Sequence, residues 1–296
     1  MKSILFRGCG TAITTPFNEN GVNIKELKRL ILFQLENNVD SIIVCGTTGE
    51  SSTMTDEEKV QAIQCAVQTV NHKIPVIAGV GCNDTKRTVE NAKIAKSLGV
   101  DGLLVVTPYY NKCTQQGLVA HYQEIANSTT LPIILYNVPS RTGVNIEPKT
   151  CLELSKISNI VAIKEASGNL SQVAKIAHLC KNDLAIYSGN DDQILPVLSL
   201  GGIGVISVLS NVMPKYTHDM VFNFFSGDFP KSMQMQLDAL PLIDALFSEV
   251  NPIPVKAALN MLGYDFGVPR LPLTTMSTLK KNTLQEELFL LLSKKD

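Results

Sequence analysis

The stretch Ile160-Val161-Ala162-Ile163-Lys164-Glu165-Ala166-Ser167-Gly168 is an apolar, β-branched run that ends on a lysine and then turns at Ser167-Gly168. Its length and composition predict a short buried strand. An ammonium at the mouth of such a strand is costly to keep charged. Desolvation favours the neutral amine, and a neutral amine is a nucleophile towards ketones. Taken alone, the segment slightly favours a plainer reading, a lysine whose stem packs on the strand end while its head reaches water. The rest of the chain separates the two readings.

Similar runs recur on both sides of it. Strands are expected at Gly10–Thr15, Ser41–Cys45, Pro75–Val80, Gly102–Thr107, Pro132–Tyr136, Ile160–Lys164, Leu184–Ser188 and Gly204–Val208. Between them lie amphipathic helical patterns at Ile24–Asn37, Asp56–Val70, Thr85–Leu98, Gln116–Ala126, Pro148–Ser155, Leu170–Leu179 and Asp191–Leu200. Thr55-Asp56-Glu57-Glu58 sets a hydroxyl and acids at a helix start, and Leu98-Gly99 is a stop signal. Strands that alternate with helices in this way predict an α/β fold, a parallel sheet closed into a (β/α)8 TIM barrel. An open doubly wound sheet is the alternative, but its glycine fingerprint is missing. Gly8-Cys9-Gly10 and Gly79-Val80-Gly81 lack the third glycine and are better explained by tight turns or close packing.

After about residue 210 the strand pattern stops, and Pro214–Phe225, Pro230–Phe247, Pro252–Leu262 and Thr274–Ser293 read as helices. The expected organisation is therefore a barrel over 1–210 and a C-terminal helical extension over 211–296 packed on it.

The totals narrow the function. The chain has 296 residues, 45% of them hydrophobic and 18% charged, with a net charge of −1. That balance gives no electrostatic footprint for nucleic acid or an anionic membrane surface. No apolar stretch approaches the ~20 residues that span a bilayer, and Met1–Phe6 carries no signal-peptide pattern. The seven cysteines are scattered without a C-x-x-C pair, which points to reduced thiols and a cytoplasmic location. The four histidines form no ligand pair at helical spacing, so no metal is expected.

In a barrel the active site forms at the carboxyl ends of the strands. Those ends carry Gly46-Thr47-Thr48-Gly49-Glu50-Ser51, Thr107-Pro108-Tyr109-Tyr110-Asn111, Tyr136-Asn137-Val138-Pro139-Ser140-Arg141-Thr142-Gly143, Lys164, Ser188-Gly189-Asn190 and Ile206-Ser207. Thr47 and Thr48 can offer hydroxyls and backbone N–H groups to a small carboxylate. Tyr136 can move a proton beside the amine, and Arg141 suits bidentate capture of a carboxylate. Each of these has a bland reading: a capped turn, which is about as common, and a core-edge tyrosine and a loop arginine, which are commoner when taken singly. Their joint placement on one rim describes Schiff-base chemistry on a 2-oxo acid.

With these motifs, and with Ile163-Lys164-Glu165-Ala166 and Asn251-Pro252-Ile253-Pro254-Val255-Lys256, the chain resembles the dihydrodipicolinate synthase family over essentially its whole length. The resemblance implies a class I aldolase-like lyase that joins pyruvate to L-aspartate 4-semialdehyde in lysine and diaminopimelate biosynthesis. Lys164 would form the Schiff base, so no cofactor would be needed. Tyr136 would donate and accept protons, with Thr47 and Tyr110 completing its relay and Tyr110 coming from a neighbouring subunit. Thr48 would hold the pyruvate carboxylate and Arg141 that of the semialdehyde, while Gly189 and Ile206 would line the pyruvate site through their backbones. A homotetramer is implied, and a dimer would preserve the Tyr110 exchange.

The other readings are a pyruvate aldolase acting on N-acetylneuraminate or a 2-keto-3-deoxy sugar acid, and a barrel that binds a 2-oxo acid without turnover. Arg141 and the Tyr109-Tyr110 pair weigh against the first. Retention of Lys164, Tyr136 and Tyr110 together weighs against the second. One departure concerns regulation. Lysine-inhibited relatives carry two histidines and a glutamate where Asp56, Lys59 and Arg87 stand here, although Asn83 and Tyr109 are kept. Weak or absent inhibition by lysine is therefore expected.

Overall fold

Eight parallel strands close into a barrel in a computed structural model that describes residue 2 and residues 4–294. In chain order the strands are β1 (Gly8–Ala12), β2 (Phe17–Asn18), β3 (Gly21–Val22), β4 (Ser41–Val44), β5 (Val76–Gly79), β6 (Gly102–Val106), β7 (Ile133–Asn137), β8 (Ile160–Glu165), β9 (Ala185–Ser188) and β10 (Gly204–Ser207). β4 to β10 pair successively in parallel, and β1 lies between β10 and β4 to complete the ring. β2 and β3 form a separate antiparallel hairpin that the sequence reading missed. At two residues each, they are too short to show an alternating pattern.

The helices are α1 (Ile24–Glu36), α2 (Asp56–Val70), α3 (Thr85–Ser97), α4 (Gln115–Asn127), α5 (Pro139–Thr142), α6 (Pro148–Leu154), α7 (Leu170–Cys180), α8 (Ile194–Ser199), α9 (Pro214–Ser226), α10 (Phe229–Leu246), α11 (Ile253–Met261) and α12 (Thr278–Ser293). The Thr55 signal is a complete capping box: its hydroxyl accepts from Glu58 N, and the Glu58 side chain accepts from Thr55 N. α9, α10 and α11 each begin with proline in the first turn, where a missing N–H removes no helical bond. α9 packs against β1 and α10, while α12 packs on α10 and α11.

Several expected boundaries moved, and two of the shifts have a visible cause. The first strand starts at Gly8, not Gly10, because Gly8-Cys9-Gly10 is itself ladder, paired with Gly204, Val205 and Ile206 of β10. The expected helix Asp191–Leu200 is a 3-10 turn over Asp191–Gln193 followed by α8. The Asp191 carboxylate is turned away to accept from Val208 N and Leu209 N, each at 2.9 Å, and does not cap its own helix. Gly79 reads correctly as a close-packing glycine: a Cβ there would drive into the Cys45 carbonyl at the end of β4.

Every residue of β8 is buried, as expected of a parallel strand covered on both faces. One set of side chains fills the barrel interior, with Ile43, Ile77, Leu104, Ile134, Tyr136 and Ile206 among them. A larger set packs the strands against the helices. The barrel interior is a packed core, so chemistry is confined to its carboxyl rim.

Candidate active site

Lys164 is the penultimate residue of β8, level with Tyr136 on β7 and Tyr187 on β9. Its residue is only 5% exposed, and Nζ stands 4.4 Å from the centre of the Tyr136 ring. Tyr187 points to the opposite end of the barrel, stacking on Phe6 at 4.4 Å and donating to the Phe6 carbonyl. The amine therefore shares its layer with one phenol. That phenol is Tyr136.

The rim around the lysine is tied together by hydrogen bonds. The Glu165 carboxylate accepts from Ser167 N at 2.7 Å, Asn137 Nδ2 at 2.9 Å and Gln172 Nε2 at 3.1 Å. These bonds tie the end of β8 to β7 and α7. Gly189 N donates to the Glu165 carbonyl, and Ile206 is fully buried in the ladder opposite Gly10. Asp191, also buried, lies near enough to Lys164 for the two charges to interact. Burial raises the Asp191 pKa, against the Ser207 hydroxyl, the Leu209 and Val208 amides and Lys164, which all lower it.

The turn after β4 carries both threonines. Gly49 N bonds to Gly46 O and Glu50 N to Thr47 O, with Glu50 in the left-handed region at φ 56°. Among the described residues the Thr47 and Thr48 amides make no hydrogen bond, so two N–H donors remain for an anion. Arg141 sits in the short helix α5, which Pro139 opens and Gly143 closes in a left-handed conformation. Its guanidinium is on the surface and Nη2 donates to the Asn251 carbonyl at 3.4 Å.

A cleft of about 350 Å³ runs along this side, lined by Thr47, Val106, Tyr109, Val138 and Arg141 and, farther out, by Asp56, Lys59 and Cys82. It reaches two of the expected site residues. The Lys164 amine lies outside its lining.

The structure thus gathers Lys164, Tyr136, Gly189 and Ile206 at the mouth of β7 to β10, and Thr47, Thr48 and Arg141 across the adjoining rim. Tyr110 is not gathered with them. It has φ 71° and is 92% exposed, its ring pointing away from the chain's own core. No hydrogen bond joins Tyr136 to Thr47 or Tyr110 among the described residues. Among those residues there is also no group of three or more His, Cys, Asp or Glu side chains placed to hold a metal ion.

Four side chains at the site had no role assigned from sequence. Asn251 Nδ2 donates to Thr48 Oγ1 at 2.9 Å. Lys256 Nζ donates to Glu50 Oε1 at 2.7 Å, and Arg270 N donates to Glu50 Oε2 at 2.9 Å. Asn251, Lys256 and Glu50 all stand in motifs that the sequence itself displays. Arg270 had no such signal, since its partners Glu58 and Thr53 are remote in sequence.

The chain matches the family model described as the dihydrodipicolinate synthetase family over residues 5–289. A 4-hydroxy-tetrahydrodipicolinate synthase of Caldicellulosiruptor saccharolyticus is 58% identical over 285 residues, 96% of each chain. The solved dihydrodipicolinate synthase of Thermotoga maritima superposes with a TM-score of 0.95 at 44% identity, covering 97% of this chain and 98% of that one. A structure described as the first monomeric dihydrodipicolinate synthase variant matches at 45% identity with a TM-score of 0.95, over 96% of both chains.

Proposed function

The chain belongs to the dihydrodipicolinate synthetase family, and from that premise we propose how its own residues perform the condensation of pyruvate with L-aspartate 4-semialdehyde to 4-hydroxy-tetrahydrodipicolinate. The observation that carries the proposal is Lys164, buried at the carboxyl end of β8 with the Tyr136 ring 4.4 Å away.

The Lys164 amine attacks the pyruvate ketone, and water leaves to give an iminium. The iminium draws electrons from the neighbouring methyl group, which loses a proton and becomes an enamine. The enamine carbon forms a bond to the semialdehyde carbon, and the aldehyde oxygen takes up a proton. The amino group of the product then attacks the iminium carbon, closes the ring and releases Lys164. The lysine is the electron sink throughout.

Tyr136 is the group next to these atoms and is assigned the proton transfers. Thr47 and Tyr110 extend its relay to solvent. Tyr110 cannot serve its own chain from a position 92% exposed, which supports its donation to a second copy. Thr48, with the free amides of the turn, takes the pyruvate carboxylate. Arg141, on the surface of the same rim, takes the semialdehyde carboxylate. Gly189 and Ile206 wall the pyruvate site through their backbones. The assembly is assigned as a homotetramer, with a dimer as the smallest unit that completes the Tyr110 exchange, and the enzyme is placed in the cytoplasm.

Borohydride reduction in the presence of pyruvate, followed by peptide mass mapping, tests the mechanism. A reduced pyruvate adduct on Lys164, together with turnover of aspartate semialdehyde, is expected. An adduct on another lysine, or none, overturns it. Light scattering at several protein concentrations decides the assembly, and a monomer that retains full activity would remove Tyr110 from the relay.

A further inference from the structure

We propose that Asn251 is a positioning residue: by donating to the Thr48 hydroxyl oxygen it leaves that hydroxyl's only proton for the pyruvate carboxylate. The proposal rests on the assignment of Thr48 to that carboxylate. A hydroxyl has one proton and two lone pairs, and a carboxylate is an acceptor only. Thr48 therefore binds an anion well only when its proton faces the anion. Asn251 Nδ2, at 2.9 Å, occupies a lone pair of Thr48 Oγ1, and Thr48 Oγ1 makes no other hydrogen bond among the described residues.

Only one orientation of the Asn251 amide leaves that proton free. In it, Nδ2 meets Thr48 while Oδ1 is buried and meets no hydrogen-bond partner among the described residues. Reversed, the amide would present Oδ1 to Thr48 and draw the hydroxyl proton away from the substrate.

Asn251 is itself held from several sides. Its carbonyl accepts from Arg141 Nη2 at 3.4 Å. It lies just before α11, whose Lys256 bonds at 2.7 Å to Glu50, two residues beyond Thr48. Two hydrogen bonds and two short stretches of chain thus close a loop: Thr48 leads to Glu50, Glu50 bonds to Lys256, the chain runs back from Lys256 to Asn251, and Asn251 bonds to Thr48. One residue of the C-terminal region thus touches the groups assigned to both substrate carboxylates.

The test uses the full chain and reads the pyruvate concentration that half-saturates borohydride-trapped adduct on Lys164. Asn251→Ala is expected to raise it about tenfold, the worth of one hydrogen bond to a charged group. Thr48→Val should raise it similarly, and adding Asn251→Ala to Thr48→Val should change nothing further, because the amide acts only through the hydroxyl. KM for the semialdehyde should stay within about threefold, since Arg141 bonds to a main-chain carbonyl that the variant keeps. A purely structural role would shift both substrates together. Asn251→Asp, of the same shape, accepts the Thr48 proton and should weaken pyruvate at least as much if the alanine variant fails to fold. Unchanged half-saturation in these variants, or effects of Thr48 and Asn251 that multiply, would overturn the inference alone. A wild-type chain that forms no adduct would overturn the assigned function and this inference with it.

Discussion

Lys256 and Glu50 form an ion pair of 2.7 Å across 206 residues of chain, with both side chains almost wholly shut off from water. Lys256 also lies over the Phe17 ring, 4.4 Å from its centre, and Arg270 stacks on the same ring at 4.0 Å. The pair fastens α11 to the turn that carries Thr47 and Thr48. Burial, with a smaller push from Arg270, lowers the Lys256 pKa despite the upward pull of Glu50.

Removing one partner leaves the other charge buried and alone. Lys256→Met is expected to destabilise the fold by roughly 3–5 kcal/mol, the usual cost of breaking a buried pair. Removing both, as Lys256→Met with Glu50→Gln, should recover part of the loss. Urea denaturation measures both, and a single-variant loss below about 1 kcal/mol would mean that water reaches the pair.

Tyr110→Phe is expected to lower kcat by about 10²-fold while leaving the pyruvate adduct on Lys164 intact, as removal of a proton relay should. Lys164→Ala should abolish the adduct. Alone, Tyr110→Phe should be slow and Lys164→Ala inactive, but subunits of the two mixed and reassembled should regain activity. Under the proposed exchange, each mixed pair would contain one site with its own Lys164 and a Tyr110 from the other chain. No recovery on mixing would place Tyr110 outside the site.

Asp56 pairs with Arg87 and lies 3.8 Å from Lys59, while Arg87 also reaches Glu90 at 3.2 Å. Asp56 and Lys59 line the outer part of the cleft that Thr47 and Arg141 share. The acidic charge there already has cationic partners, and a second ammonium would meet two resident cations. Steady-state rates should be nearly unchanged in low-millimolar lysine. Strong inhibition at that concentration would refute the expectation.

His121 is buried, with Nδ1 2.9 Å from Thr85 Oγ1 and Nε2 without a partner among the described residues. Burial lowers its pKa to about 4, against a smaller upward pull from Asp84. A depressed folded-state pKa means that the unfolded chain takes up the proton first. His121 therefore contributes nothing unfavourable above its ordinary pKa near 6.5, and stability is lost as the pH falls from there towards 4. The loss attributable to this residue reaches about 3 kcal/mol at the low end. Urea midpoints at pH 7 and pH 4.5 check it, and His121→Phe should flatten the slope between them.

Much of the fold and the site is legible along the chain. Alternation of β-branched runs with amphipathic segments is a local property, so eight strands and their helices could be counted from periodicity. The positions of Lys164, Tyr136, Thr47 and Arg141 at strand ends followed from the same count, because a closed parallel barrel brings all carboxyl ends to one rim. The hairpin of β2 and β3 was invisible, being too short for any pattern, and Asp191 was read into a helix because its bonds to Val208 and Leu209 lie across the barrel.

By itself, then, the sequence determined the order and type of the elements, the barrel, the identity of the groups at its mouth and the family to which the chain belongs. The tertiary structure alone decided which of those groups meet. It set Lys164 beside Tyr136 and left Tyr110 facing outward, and it brought Asn251, Lys256 and Arg270 onto the turn of Thr48 and Glu50. Periodicity reports which face of an element avoids water. Pairing between residues some two hundred positions apart depends on how whole elements pack, and no local pattern carries that.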